Sequence, residues 1–410
     1  MTIVEPRVQQ SVRIAPALWF IVCLLLVCQA SACYLGADAP LKGKVDLRAF
    51  YAAGTILRSG HGAQLYDYDY QENIQNAVVG PRDNALPFLY PSFAALPFVP
   101  LSLLSYRAAF FVWLGLNLGL LVLAGLLLRP WLPSFAARSW MALPAFYCCL
   151  FGVSIALVQG QISFLLLVVY CGAWVLLREE RPLLAGMLAS IGLMKFQIAI
   201  PIFVLFLFWR QWRFVSGFLA GAAGLALISV ALVGRTGVSV YVHAMSSMTK
   251  QTALNAAAAK VHYGMFPVDM PNLHGLTFGL THGAHWGLVL NIALSCVVMG
   301  FVARQKPSLL IALPAAMLVS YHMQPHDLTL LLLPLSFELD ELLRRVRKSY
   351  AGYRRAYEFI LRYSLFLLIL PLAAVVMTWG MNYIVSFAVC AVMLIAAGMN
   401  TEEVATAAAS

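Results

Sequence analysis

The stretch LLAGMLASIGLMKFQIAIPIFVLFLFW, residues 183 to 209, is apolar at almost every position yet carries Lys195 near its middle and Gln197 beside it. An ammonium at the centre of a bilayer costs roughly 2.5 to 3.5 kcal/mol on insertion scales, so such a lysine faces a bundle interior or a water-filled cavity, where it can hold an anion. Asp46 begins the segment DLRAFYAAGTILRSG. A carboxylate there can accept a proton from a hydroxyl, or it can simply cap the helix that follows. The turn YHMQPHD packs His322, Gln324, His326 and Asp327 between two apolar runs. Histidine titrates near neutral pH, so His322 or His326 can bind an anion or act as an acid or base, while Asp327 can also serve only as a cap. Gln159 and Gln161, in the turn QGQ, can satisfy helix ends or hydrogen-bond a sugar.

Other polar residues point to no chemistry. His243, His262, His274, His282 and His285, with Lys250 and Lys260, fall at irregular intervals without an HxxxH pair, so they read as solvated loop residues rather than a metal site. The eight cysteines lack the paired spacing of a zinc site or a disulfide framework and read as small core residues.

The elements that position these groups follow from composition. With 62% hydrophobic and 11% charged residues over 410 positions, the chain is a polytopic membrane protein with no separate soluble domain. The net charge of +10 comes from Lys and Arg at the ends of apolar runs, which marks topology and not nucleic-acid binding. The run PALWFIVCLLLVCQASACYLG follows Arg7 and Arg13 and reads as an uncleaved first helix rather than a signal peptide. With those arginines in the cytoplasm, residues 37–90 and 234–284 become extracytoplasmic loops. The cluster at 344–362 becomes a basic cytoplasmic loop, and both termini are cytoplasmic. This parity holds only if residues 183 to 209 break near Lys195 and double back, placing the lysine at the base of a funnel. The competing arrangement is a single tilted helix whose lysine pairs with a buried carboxylate. The apolar positions Leu47, Phe50, Tyr51, Ile56 and Leu57 predict a short amphipathic helix on the membrane surface after Asp46. The expected architecture is an all-α membrane protein with about twelve transmembrane or re-entrant segments in one domain over residues 1–410.

The blocks DLRAFYAAG, LYDYDYQ, FLYPSFAALPFVPLSLLSYRAAFFVW, GQISFLLL, GMLASIGLMKFQIAIP and QPHDLTLLLLPL occur in an order that resembles glycosyltransferase family 87. These are GT-C membrane enzymes that use polyprenyl-phosphate sugars and include mycobacterial mannosyltransferases of phosphatidylinositol mannosides. The resemblance implies inverting transfer of a sugar, mannose by analogy, to a lipid or glycan hydroxyl on the outer side of a bacterial cytoplasmic membrane. It implies Asp46 as general base, Lys195 with His322 or His326 at the donor phosphate, and substrate contacts from Arg48, Tyr51, Gln161, Gln197 and Asp327. The turn here reads HMQPHD, where many family members carry a tyrosine before the aspartate, and His326 occupies that place. The implied partners are the lipid donor, the acceptor and membrane lipids. No cofactor or metal is expected, because the donor carries one phosphate rather than a chelating diphosphate. A secondary transporter, which also uses broken helices around a midplane site, is the rival reading; a lipid-binding or assembly subunit without catalysis is a further one.

Overall fold

The computed structural model describes residues 16–136, 142–250, 267–345 and 383–408. Every regular element among them is helical. That is the physical consequence of long apolar runs, since lipid offers no partner for backbone N–H and C=O groups and a helix satisfies them within its own segment. Five stretches among the described residues are long and apolar enough to cross a membrane, namely Cys23–Leu41, Tyr106–Trp131, Pro182–Phe208, Trp212–Ser246 and Trp286–Ala303. Large apolar side chains such as Phe111, Leu227 and Val289 face outward from these helices. The chain is an all-α, multi-pass membrane protein. Arg7, Arg13, residues 251–266 with Lys260 and His262, and nearly all of the basic loop at 344–362 lie outside the described residues.

Helix α1 (Pro16–Leu35) leads into a polar segment with its own architecture, containing α2 (Leu47–Arg58) and α3 (Tyr68–Val78). Asp67 starts α3 by accepting a hydrogen bond from Tyr70 N at 2.9 Å. Two buried glutamines on α3 then stand in for a neighbouring strand. Phe88 N donates to Gln71 Oε1 at 2.7 Å, Leu86 N donates to Gln75 Oε1 at 3.0 Å, and Gln75 Nε2 donates to Leu86 O at 2.7 Å. The extended residues 85–90 thereby meet the requirement that buried backbone groups be paired.

Helix α2 occurs where the apolar spacing predicts it, and it is enclosed by the rest of the protein. Leu47 through Ile56 are all buried. Gly54 makes this possible, because a Cβ there would sit 2.4 Å from Phe98 O. The polar side is covered as well: Arg48 donates from Nε to Gln75 Oε1 at 3.0 Å and from Nη2 to Asn76 Oδ1 at 2.7 Å and Gly80 O at 2.6 Å.

The chain continues through α4 (Tyr106–Leu128), α5 (Phe151–Gln159), α6 (Ser163–Arg178), α7 (Pro182–Ala189), a 3-10 turn (Ser190–Lys195), α8 (Phe196–Phe208) and α9 (Trp212–Lys250), which is kinked at Gly234. The stretch around Lys195 does double back. A Cβ on Gly217 would meet Leu183 O at 2.0 Å and one on Gly221 would meet Ser190 Oγ at 2.2 Å, so α7 and the first half of α9 run side by side in the same direction. Glycine permits this close helix contact in an apolar setting. Helix α8 runs the opposite way, with Phe203 5.0 Å from Phe218 and Phe206 3.9 Å from Phe214 between ring centroids. Residues 182 and 208 thus lie at the same end of the bundle. The reversal occurs at Lys195, whose φ of −122° and ψ of 72° leave the helical region.

The last part comprises α10 (Leu273–Thr281), α11 (Trp286–Ala303), α12 (Leu309–Val319), a 3-10 segment (Pro325–Leu331), α13 (Leu332–Arg345) and α14 (Tyr383–Ala408). The 3-10 segment packs on α5 at Gly152, where a Cβ would lie 2.8 Å from both Leu328 Cβ and Thr329 N. The HMQPHD turn leading into this segment and the QGQ turn after α5 line a common cavity.

Candidate active site

The polar turns and the broken helix converge on a cavity of about 710 Å³. Asp46, Gln159, Gln161 and Tyr90 line it on one side, and Lys195, Gln197, His322, Gln324, His326 and Asp327 line it from α8 and the late turn. Ala49, Phe50, Ile155 and Met194 supply apolar wall, while Met245 on α9 and Asp269 in a 3-10 turn before α10 also line it.

Asp46 is the N-cap residue of α2 but makes no capping bond with its side chain. It is held instead by the QGQ turn, with Asp46 N donating to Gln159 Oε1 at 3.2 Å and Gln161 Nε2 donating to Asp46 Oδ2 at 2.5 Å. The turn is built to do this. Gly160 adopts φ +65° and ψ 38°, a left-handed conformation that ends α5, and a Cβ there would lie 2.7 Å from Leu47 Cβ. Trp113 Nε1 donates to Gly160 O at 2.9 Å and Asn117 Nδ2 donates to Gln161 O at 3.3 Å, so α4 fixes the turn from behind. Burial pushes the Asp46 carboxyl above the ordinary aspartate range, while the Gln161 hydrogen bond and the Lys195 charge act in the opposite direction.

Opposite, Lys195 Nζ is ion-paired with Asp327 Oδ1, and both side chains are 2% exposed. The buried carboxylate of the competing single-helix arrangement is therefore present, on a broken helix. Asp327 Oδ2 also accepts from Gln324 N at 3.0 Å, which fixes the start of the 3-10 segment, so the capping role and the ion pair coexist. Although burial opposes ionisation, the Lys195 charge and hydrogen bond hold the Asp327 carboxyl below its ordinary value. Burial pushes the imidazoles down, His322 to about 4 and His326 to about 3. Both rings are neutral at pH 7, so they offer hydrogen bonds rather than positive charge, and Lys195 is the cation of the site. His322 Nδ1 is buried without a hydrogen-bond partner among the described residues.

Two of the expected substrate contacts lie elsewhere. Arg48 is 1% exposed and bound to α3 through the hydrogen bonds given above. Tyr51 donates from its hydroxyl to Leu104 O at 2.7 Å and meets the edge of Tyr106, away from the cavity. Both belong to the framework that packs α2, because one helical face cannot serve both the cavity and α3. Of the histidines read from sequence as loop residues, His274 lies on α10 instead and stacks on Tyr321 at 4.9 Å. Tyr90 was not among the residues singled out from sequence. Its signal is modest: a tyrosine before Pro91, at the point where a polar loop meets an apolar run.

A profile of glycosyltransferase family 87 matches residues 88–333. The chain belongs to glycosyltransferase family 87. This membrane glycosyltransferase keeps Tyr90, Gln161, Lys195, Gln197, His322, His326 and Asp327 within the matched region, and Asp46 precedes it. Neither the curated proteins nor the solved structures yield a significant match. With the family in hand, the transporter reading gives way to sugar transfer.

Proposed function

We propose that this family 87 glycosyltransferase moves a sugar, mannose by family analogy, from a polyprenyl-phosphate donor to a lipid or glycan hydroxyl. The observation that carries the reading is the shared cavity of Asp46 and Lys195, an acceptor of protons facing a cation that can meet a phosphate. Asp46 takes the proton of the acceptor hydroxyl as its oxygen bonds to sugar C1. The C1–O bond to phosphate breaks with its electron pair, and the configuration at C1 inverts because base and leaving group lie on opposite faces. Lys195 stabilises the charge gathering on the leaving phosphate, and neutral His322 and His326 donate hydrogen bonds to its oxygens. Asp327 keeps the ammonium in place, while Gln197 is available to sugar hydroxyls. The polyprenyl chain lies between helices in the apolar surround. The setting we assign is a bacterial cytoplasmic membrane, with both termini cytoplasmic and the cavity opening on the extracytoplasmic side among residues 37–90 and 234–284.

Wild-type protein and Asp46→Asn in nanodiscs, given radiolabelled polyprenyl-phosphate sugars and a membrane lipid extract, test this reading. The expected result is label transfer by the wild type and a loss of about 10² to 10⁴ in turnover for Asp46→Asn, with donor binding retained. The raised carboxyl sets a sign: activity requires the ionised base, so the acid limb of the wild-type rate lies above the ordinary aspartate range and the rate falls as pH drops through it. Wild-type turnover by Asp46→Asn excludes the base assignment.

A further inference from the structure

Gln161 Oε1 accepts from the Tyr90 hydroxyl at 3.3 Å, while its Nε2 donates to Asp46 Oδ2. The carboxylate, which can only accept, turns the amide nitrogen toward Asp46, and the phenol then donates to the amide oxygen on the other side. Gln161 is 1% exposed, so its amide has little water to turn to. Asp46 Oδ1, by contrast, has no hydrogen-bond partner among the described residues. Tyr90 is itself held: its carbonyl accepts from Tyr66 Oη at 2.9 Å, and its ring packs 4.8 Å from Phe50.

Resting on the assignment of Asp46 as base, we propose that Tyr90 and Gln161 are positioning residues, a fixed relay that binds Oδ2 of Asp46 and reserves Oδ1 for the acceptor proton. Tyr90 anchors the far end of the Gln161 amide, and Gln161 selects the reacting oxygen. A carboxylate free to rotate about its χ2 would offer either oxygen and a range of directions; one anchored oxygen leaves a single line of approach. The apolar neighbours explain why two residues are needed. Phe50 and Phe88 surround Tyr90, with ring centroids 4.8 and 5.7 Å away, so the relay is built into packed aromatic structure rather than a free loop. This role differs from sugar binding by Gln161, in which its amide would turn to the substrate.

The experiment is an infrared difference titration of the Asp46 carboxyl band, identified by subtraction of Asp46→Asn, in wild type, Gln161→Leu and the near-isosteric Tyr90→Phe in nanodiscs without substrate. Removing a hydrogen bond that favours the carboxylate moves its midpoint upward, by about one pH unit in Gln161→Leu and by less in Tyr90→Phe. In turnover with the radiolabelled donor that the wild type uses, Gln161→Leu lowers kcat about 10- to 100-fold with KM unchanged, as loss of a hydrogen bond to a charged group implies. In an Asp46→Asn background the same change adds nothing further, because the relay then has no base to orient. A midpoint unmoved in both variants overturns the relay, as does a Gln161→Leu loss that multiplies in full with that of Asp46→Asn. Full activity of Asp46→Asn instead removes the base assignment itself, and a moved midpoint in the same preparation shows that the two outcomes are separate.

Discussion

At the scale of single residues, the decisive feature is that the site's cation is already partnered. Lys195 and Asp327 are both almost fully buried, and neither could be held there alone. Removing one partner leaves an uncompensated charge, so Lys195→Met is expected to lose about 3 to 5 kcal/mol of stability, and a simple loss of activity in that variant would not separate folding from function. The double variant Lys195→Met/Asp327→Leu replaces both charges with apolar groups. We expect it to regain most of the lost thermal stability in detergent, yet to show no sugar transfer and weakened donor binding. Recovered transfer in the double variant would remove Lys195 from the donor site. The neutral histidines beside the pair sharpen this expectation, since neither supplies a charge that substitutes for the ammonium at pH 7.

At the scale of elements, a three-residue turn does more for the site than any helix. Gln159 and Gln161 can both reach Asp46 only because Gly160 reverses the chain between them with a positive φ. A side chain at that position meets a conformational cost of about 1 to 2 kcal/mol and, where packing is tight, a further cost of about 1 to 3 kcal/mol. The space is tight, with Leu47 Cβ 2.7 Å from where the methyl of an alanine would stand. Gly160→Ala is therefore expected to lower the melting temperature and to reduce turnover more than it reduces donor binding, as read by thermal unfolding and single-turnover kinetics. Equal stability and activity would show that the turn adapts. Much of this element is legible beforehand: QGQ between two apolar runs announces a polar turn, but its partner on α2, more than a hundred residues earlier, is not visible in local sequence.

At the scale of the whole molecule, the path of residues 182–208 determines where the polar turns can meet. Each half of the stretch is too short to cross a hydrocarbon core of about 30 Å, so the chain enters, turns at Lys195 and leaves by the same end. Single cysteines at Arg181 and Arg213, both exposed flanks of this pair, are expected to react with a membrane-impermeant maleimide from one and the same side in a background lacking native cysteines. Labelling from opposite sides would replace the re-entrant path with a single crossing. Parity of the basic clusters points to the same path, because a topology rule acts on the whole chain and does not depend on contacts.

The sequence by itself determined the class of molecule, an all-helical membrane protein, because composition decides whether backbone groups must be satisfied without water. It also marked Asp46, Lys195 and the HMQPHD turn, since a polar group in an apolar context is costly and therefore conspicuous. What local spacing could not separate is a residue that faces the cavity from one that supports it. Arg48 and Asp46 are neighbours on one helix, yet one is bound to Gln75 and Asn76 and the other to Gln161. Tyr90 joined the site only through a hydrogen bond to a residue 71 positions away. Those choices rest on long-range packing and on the direction each side chain leaves its helix, and only the tertiary structure decides them.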